Sequence, residues 1–215
     1  MIVAIFSDIH GNLPALETFI EKTKNIVDSY LCLGDVVDYG PWNDECLEQI
    51  YQLPKIILLE GNHERLFLGS DPIADEIPLV QELYAHSIRS FSKPKLIQNL
   101  PVSCELGHFM CTHTLQNKRI YPDTEIEIDR NYIIGHSHYQ YQIIRSKDKW
   151  IVNPGSIGQN RKYIDLIQYF LYDTTSGKFT ACQYPYPFDQ FRKELKVRGY
   201  SKPCLDYYLK KQKFG

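Results

Sequence analysis

Five times along this chain a short apolar run stops at residues of the kind that bind metal ions. Met1–Phe6 leads into Asp8 and His10, Tyr30–Leu33 into Asp35, Lys55–Glu60 into Asn62 and His63, Phe109–Thr112 into His113, and Arg130–Ile134 into His136 and His138. Runs this short, rich in Ile, Leu, Val and Tyr, read as buried strands. Polar side chains set directly after a buried strand are costly at the edge of a core unless something satisfies them. In open α/β sheets the ligand crevice lies beyond the carboxyl ends of the strands, which is where all of these side chains fall. No other property of the chain limits its fold as much.

The connections agree with strands feeding helices. Asn12 is placed to cap a helix with Leu13, Leu16, Phe19 and Ile20 on its apolar face and Pro14 in its first turn, and Asn43 to cap a second carrying Cys46, Leu47 and Ile50. Ile56–Leu59 is apolar throughout, which predicts a third strand buried on both faces. Later segments read as antiparallel additions: a hairpin of 102–106 and 109–112 turning at Gly107-His108, then strands at 141–145, 150–152, 166–173 and 178–184. The expected architecture is α/β, a mixed sheet or two packed sheets flanked by helices. One domain, 1–215, accommodates this, with 64–100 a helical insert and 185–215 a helical extension around Gly199-Tyr200-Ser201-Lys202-Pro203.

Charge narrows the partners. Lys and Arg number 24 against 26 Asp and Glu, a net charge of -2, so the total makes no case for nucleic acid or a membrane surface. The end of the chain is nonetheless basic, with Arg192, Lys193, Lys196, Arg198, Lys202, Lys210, Lys211 and Lys213. A solvated helix face is the ordinary reading of such charges, and a nucleotide-binding lip the alternative. Met1–Phe6 is too short for a signal-peptide core, and no apolar run approaches the roughly 20 residues of a membrane span, so a cytoplasmic location is expected. The 6 cysteines show no CxxC spacing and read as buried free thiols. Oligomeric state is not set by any of these features.

Taken singly, each polar cluster has an ordinary explanation: Asp8 and His10 as a helix cap and a surface histidine, Asp35 and Asp38 as turn residues. His86, in a helical stretch, and His108, in a hairpin turn, read as structural. Five ordinary explanations at once are another matter. Imidazole, carboxylate and amide ligands without thiolates suit Mn, Fe, Zn, Ni or Co rather than a structural zinc. Asp35, a carboxylate after a glycine turn, is the residue able to bridge two such ions.

As a set, Ser7-Asp8-Ile9-His10-Gly11-Asn12, Gly34-Asp35-Val36-Val37-Asp38-Tyr39-Gly40, Gly61-Asn62-His63-Glu64, Thr112-His113 and Gly135-His136-Ser137-His138 resemble, in order, the motifs of the calcineurin-like metallophosphoesterases. Asn153–Gln159, with Arg161 after it, resembles the downstream loop of the small bacterial phosphodiesterase branch. The resemblance implies two packed mixed β-sheets flanked by helices and two divalent transition metal ions, manganese foremost. Asp8, His10 and His138 would hold one ion, Asn62, His113 and His136 the other, and Asp35 would bridge them. His63 would act as the acid near the substrate, with Arg161, Tyr39 and Asn12 as substrate-binding residues and Arg65 as a lesser alternative for the phosphate. The implied activity is hydrolysis of phosphodiesters, with hydrolysis of phosphomonoesters kept open, through a hydroxide shared by the two ions. The substrate would be a small phosphate ester or nucleotide. A protein or nucleotide phosphatase of the same fold is the alternative activity. A protein-binding scaffold with a degraded metal site is the alternative from another class, although all seven ligand positions are filled here. The chain departs from the bacterial branch after His113, where Thr114 and Leu115 replace a glycine, and from the protein phosphatases at Tyr39, where they carry an arginine.

Overall fold

The computed structural model describes residues 1–145 and 148–214; Gly215, included in the C-terminal extension, lies outside the described residues. Among the described residues ten strands form two mixed five-stranded sheets. The first has the order β10(Lys178–Pro185)-β9(Leu166–Asp173)-β1(Ile2–Phe6)-β2(Ser29–Cys32)-β3(Ile56–Leu58), with β1, β2 and β3 parallel and the other two antiparallel. The second has the order β4(Ser103–Leu106)-β5(Phe109–Thr112)-β6(Asn131–Ile134)-β8(Lys149–Pro154)-β7(Gln140–Arg145), with β5, β6 and β8 parallel.

Alternation along the strands decides what each face meets. Val3, Ile5, Leu31, Leu33 and Phe170 from the first sheet pack against Phe109, Cys111, Ile133 and Val152 from the second, making the core between the sheets. The intervening residues of the first sheet, Ala4, Phe6, Tyr30 and Cys32, face the helices. Six helices share that cluster: α1(Leu13–Thr23), α2(Asn43–Tyr51), α3(Asn62–Phe67), α4(Pro78–Ser87), α5(Phe188–Val197) and α6(Lys202–Leu209). Each fully buried aliphatic side chain there contributes about 1.5–3 kcal/mol. The outer face of the second sheet is covered by irregular chain, with Ile120, Ile126 and Ile128 packed on Ile134, Tyr141 and Ile151.

Three expectations need correction. The run at 55–60 forms only β3, the edge strand of the first sheet, and its Ile57 is 45% exposed because no strand among the described residues pairs beyond it. Asn43 does not cap α2 from outside but is its first residue, and its side chain bridges elsewhere: Oδ1 accepts from the Asp38 N–H at 2.8 Å and Nδ2 donates to the Ser87 carbonyl at 3.0 Å. The helical stretch begins at Asn62 rather than residue 64, so Asn62 and His63 occupy the first turn of α3. Asn12 does cap α1, accepting from the Ala15 N–H at 3.3 Å. Among the described residues no helix is long and apolar enough to cross a membrane.

Candidate metal centre

The carboxyl ends of β1, β2, β3, β5 and β6 converge, so both sheets deliver side chains to one crevice. Reaching it requires unusual backbone. Asp8 (φ 58°), His10 (φ 51°), Asp35 (φ 55°), His136 (φ 66°) and His138 (φ 60°) all lie in the left-handed region, as do Asp38 and Tyr39. Non-glycine residues rarely adopt it, and such strain gathers where the surrounding fold holds a site in place.

Two groups of ligand-type atoms result. In the first, Asp8 Oδ1 lies 3.1 Å from His138 Nε2 and 3.7 Å from His10 Nε2, and the two imidazole nitrogens are 3.3 Å apart. In the second, His113 Nε2 lies 3.0 Å from Asp35 Oδ2 and 3.1 Å from Asn62 Oδ1, and the His136 ring stands 5.3 Å from that of His113. Asp35 Oδ2 is also 3.9 Å from His10 Nε2, so the carboxylate stands between the groups.

The tautomers show what these atoms require. His138 Nδ1 donates to the Gln159 carbonyl at 2.9 Å and His113 Nδ1 to the Leu33 carbonyl at 2.9 Å. Each Nε2 therefore presents a lone pair to carboxylate oxygens that are acceptors as well. Asp8 Oδ1 and Asp35 Oδ2 are buried without a hydrogen-bond partner. Acceptors converging on acceptors are repulsive until a cation or proton sits among them, and ring nitrogens fixed from behind by carbonyls are the usual support of metal-binding imidazoles. The donor set fits divalent ions. With protons alone, burial opposes charge on His113, yet the Asp35 carboxylate outweighs it and raises the imidazole to about 9. Burial and the His113 charge push His136 down to about 3. Burial and the Arg161 charge hold His138 well below the usual imidazole range.

The loops are braced by side chains whose part was not legible in the sequence. Glu64, fully buried in α3, accepts from the N–H groups of Gly61, Asp35 and Val36 at 2.8 Å each and of Val37 at 3.3 Å. It thereby shapes the turn that presents Asp35, whose Oδ1 accepts from the His63 N–H at 2.9 Å. Any Cβ at Gly61 would run into Asp35 Oδ1, and one at Gly135 into Ser7 Oγ. Asn153 Nδ2 donates to the Gly135 carbonyl at 2.7 Å, and Ser156 Oγ to the Asp8 carbonyl at 2.7 Å, so the 153–159 loop props two ligand loops. The bracing residues fall inside the quoted motifs and the Asn153–Gln159 loop, but nothing in the sequence marks them as braces rather than site residues. After His113, where the sequence has Thr114 and Leu115, left-handed backbone falls at Gln116 and Asn117, in the turn closed by Leu115 and Lys118.

His63 points into the same crevice. Its Nδ1 donates to Asp38 Oδ2 at 2.7 Å, leaving Nε2 3.9 Å from Asp35 Oδ2. Burial disfavours its charge, but Asp35 and Asp38 outweigh that and raise it to about 9. Asp38 Oδ1 accepts from Ser87 Oγ at 2.7 Å, so α4 supports this pair. Tyr39, only 5% exposed, sets its ring 4.5 Å from His10 and 4.8 Å from His63. Arg161 lies beside the crevice, its Nε donating to the Ser137 carbonyl at 3.5 Å. Asn12 is fully buried, with Nδ2 donating to the Gly158 carbonyl at 3.0 Å and the Tyr186 hydroxyl at 2.9 Å, so its amide is spent on the fold. Arg65 pairs with Asp71 at 2.8 Å and Glu60 at 3.7 Å, an ordinary ion-pair arrangement. His86 stacks on Tyr200 at 4.7 Å.

Residues 1–177 match the family model described as the calcineurin-like phosphoesterase superfamily domain. The chain is 27% identical over 214 residues to an uncharacterized protein of Methanocaldococcus jannaschii, a match covering 86% of this chain and 87% of the relative. Its fold is similar to that of a hypothetical protein from Pyrococcus horikoshii, with a TM-score of 0.83 at 16% identity over 96% of this chain and 97% of that one. A metallophosphoesterase from Sphaerobacter thermophilus is similar too, with a TM-score of 0.76 at 21% identity over 97% and 98% of the two chains. The motif order, the paired mixed sheets and the span of that match have one consistent meaning: this chain belongs to the calcineurin-like phosphoesterase superfamily.

Proposed function

We propose that the protein is a dinuclear metal-dependent phosphodiesterase that also accepts phosphomonoesters, with Asp8, His10 and His138 holding one divalent ion, Asn62, His113 and His136 the other, and Asp35 between them. The observation that carries this reading is the convergence of lone pairs: buried Asp8 Oδ1 and Asp35 Oδ2 face imidazole nitrogens whose protons are committed elsewhere. Ions held there would supply charge neutralisation for phosphate oxygens and would acidify a water at neutral pH. The remaining work belongs to the chain. Asp38 fixes the His63 tautomer and aim, so Nε2 is the atom that carries a proton to the leaving oxygen. Tyr39 fills the space between His10 and His63 with an apolar ring rather than a cation, which suits a singly charged diester better than a doubly charged monoester. Arg161 adds positive charge from the side of His138.

Metal analysis of the manganese-loaded protein, alongside a panel of diesters and monoesters, tests this. Two ions per chain and turnover of bis(p-nitrophenyl) phosphate are expected, and Asp35→Asn loses both metal occupancy and more than about 100-fold in rate, beyond the loss typical of a residue that merely supports a ligand. A protein that binds no transition metal and hydrolyses nothing after loading refutes the reading.

A further inference from the structure

Three cations of the C-terminal segment sit in ion pairs along its helices. Arg192 pairs with Asp189 at 2.8 Å, Arg198 with Glu194 at 2.8 Å, and Lys202 with Asp206 at 3.1 Å, as a solvated helix face would. Lys211 turns inward instead. Its Nζ donates to Gln159 Oε1 at 3.0 Å and lies 4.6 Å and 5.5 Å from the ring centroids of Tyr207 and Tyr208. Arg161 stands alongside, Nη1 donating to the Tyr207 hydroxyl at 3.2 Å. Neither cation has a carboxylate within 4 Å among the described residues.

Two neighbouring half-buried cations without a counter-charge repel one another, and partial burial weakens the screening of that repulsion by water. Burial first, and then the Arg161 charge, depress Lys211 to about 7. The arrangement is nevertheless well anchored. Gln159 donates from Nε2 to the Tyr208 hydroxyl at 2.9 Å and accepts at Oε1 from the Tyr207 hydroxyl at 3.1 Å. The tail beyond α6 is tied down by backbone bonds from the Gln212 N–H to the Lys162 carbonyl at 3.0 Å and from the Ile164 N–H to the Gln212 carbonyl at 2.7 Å. Arg161 and Lys211 open onto a concavity of about 390 Å³ that is also lined by Lys162, Tyr207 and Lys210. The concavity borders the metal centre without including its ligands: the Gln159 carbonyl accepts from His138 Nδ1, Arg161 Nε donates to the Ser137 carbonyl, and the Arg161 charge is felt by His138 and Asp8. A second anion is what such a pocket lacks.

We infer that Arg161, Lys211 and Tyr207 form an anion subsite beside the metal centre that takes a second phosphate group of the substrate, making the preferred substrate a nucleotide-like ester with two or more phosphates. The inference rests on the phosphoesterase reading above for the position of the first phosphate. Bidentate guanidinium binding and a point-charge ammonium are the two standard means of holding phosphate, and the half-buried Tyr207 ring adds a face for a base or sugar.

The test is calorimetric titration of the manganese-loaded protein with adenosine 5′-(α,β-methylene)diphosphate and with AMP. The diphosphate analogue is expected to bind at least about tenfold more tightly. Lys211→Gln should cut that preference below about threefold while leaving AMP binding within about twofold of the unsubstituted protein. Equal binding of the two ligands by the unsubstituted protein, or an undiminished preference in Lys211→Gln, overturns the subsite. A protein that shows the preference yet hydrolyses no ester overturns the catalytic reading and leaves the subsite standing, so the two failures are separable.

Discussion

At the residue scale the candidate centre depends on Glu64 as much as on the side chains that would face the ions. One buried carboxylate accepts three backbone N–H groups of the turn carrying Asp35 and the Gly61 N–H, and each of its oxygens serves two of the four. In Glu64→Gln one oxygen becomes an amide NH2 aimed at two donors, and each orphaned donor costs about 1–3 kcal/mol. A lower urea midpoint and loss of tight metal binding are expected together. An unchanged midpoint with full metal content would show that the turn holds itself. The motif Gly61-Asn62-His63-Glu64 was visible in the sequence, but an acid in the first turn of a helix is ordinary, and nothing local says that its carboxylate reaches back to residues 35–37.

At the scale of elements, α4 has a part that composition concealed. The 64–100 stretch carries no recognisable chemistry, yet α4 ends with Ser87 donating to Asp38 Oδ1 while its carbonyl takes the Asn43 amide. Asp38 thus holds His63 from a carboxylate that is itself held. Removing the hydroxyl in Ser87→Ala loosens the orientation of His63 without touching any ligand position. Metal content is expected to stay at the unsubstituted level, while kcat for esters with poor leaving groups falls about 3–10-fold, the cost of roughly 1 kcal/mol of lost hydrogen bonding. Equal turnover in the two proteins would confine Ser87 to packing. The strands behave differently from the helices in this respect. Their order of polar ends was legible, because apolar runs announce themselves, whereas the edge position of β3 depends on what does not pair beyond it.

For the whole molecule, the crevice gathers buried acceptors from both sheets, so the folded state without cations carries repulsion that cations relieve. Ions that bind only the folded chain stabilise it by about 2.7 kcal/mol each at 100 times their dissociation constant. For a chain of this size that corresponds to a Tm rise of about 5–10 °C per ion. Chelation followed by differential scanning calorimetry should lower Tm by that order, with manganese restoring it; a Tm indifferent to both would remove the cations from the stability of the fold. By itself the sequence determined the element types, most strand positions, the residues at the strand ends and, through their order, the family resemblance, since all of these rest on local periodicity and spacing. Only the tertiary structure decided which atoms face one another. Left-handed backbone at Asp8, His10, Asp35, His136 and His138, the reach of Glu64 across the Asp35 turn, the commitment of Asn12 to the fold and the inward turn of Lys211 all depend on contacts between residues far apart in the chain, where no local pattern records which partner a side chain will find.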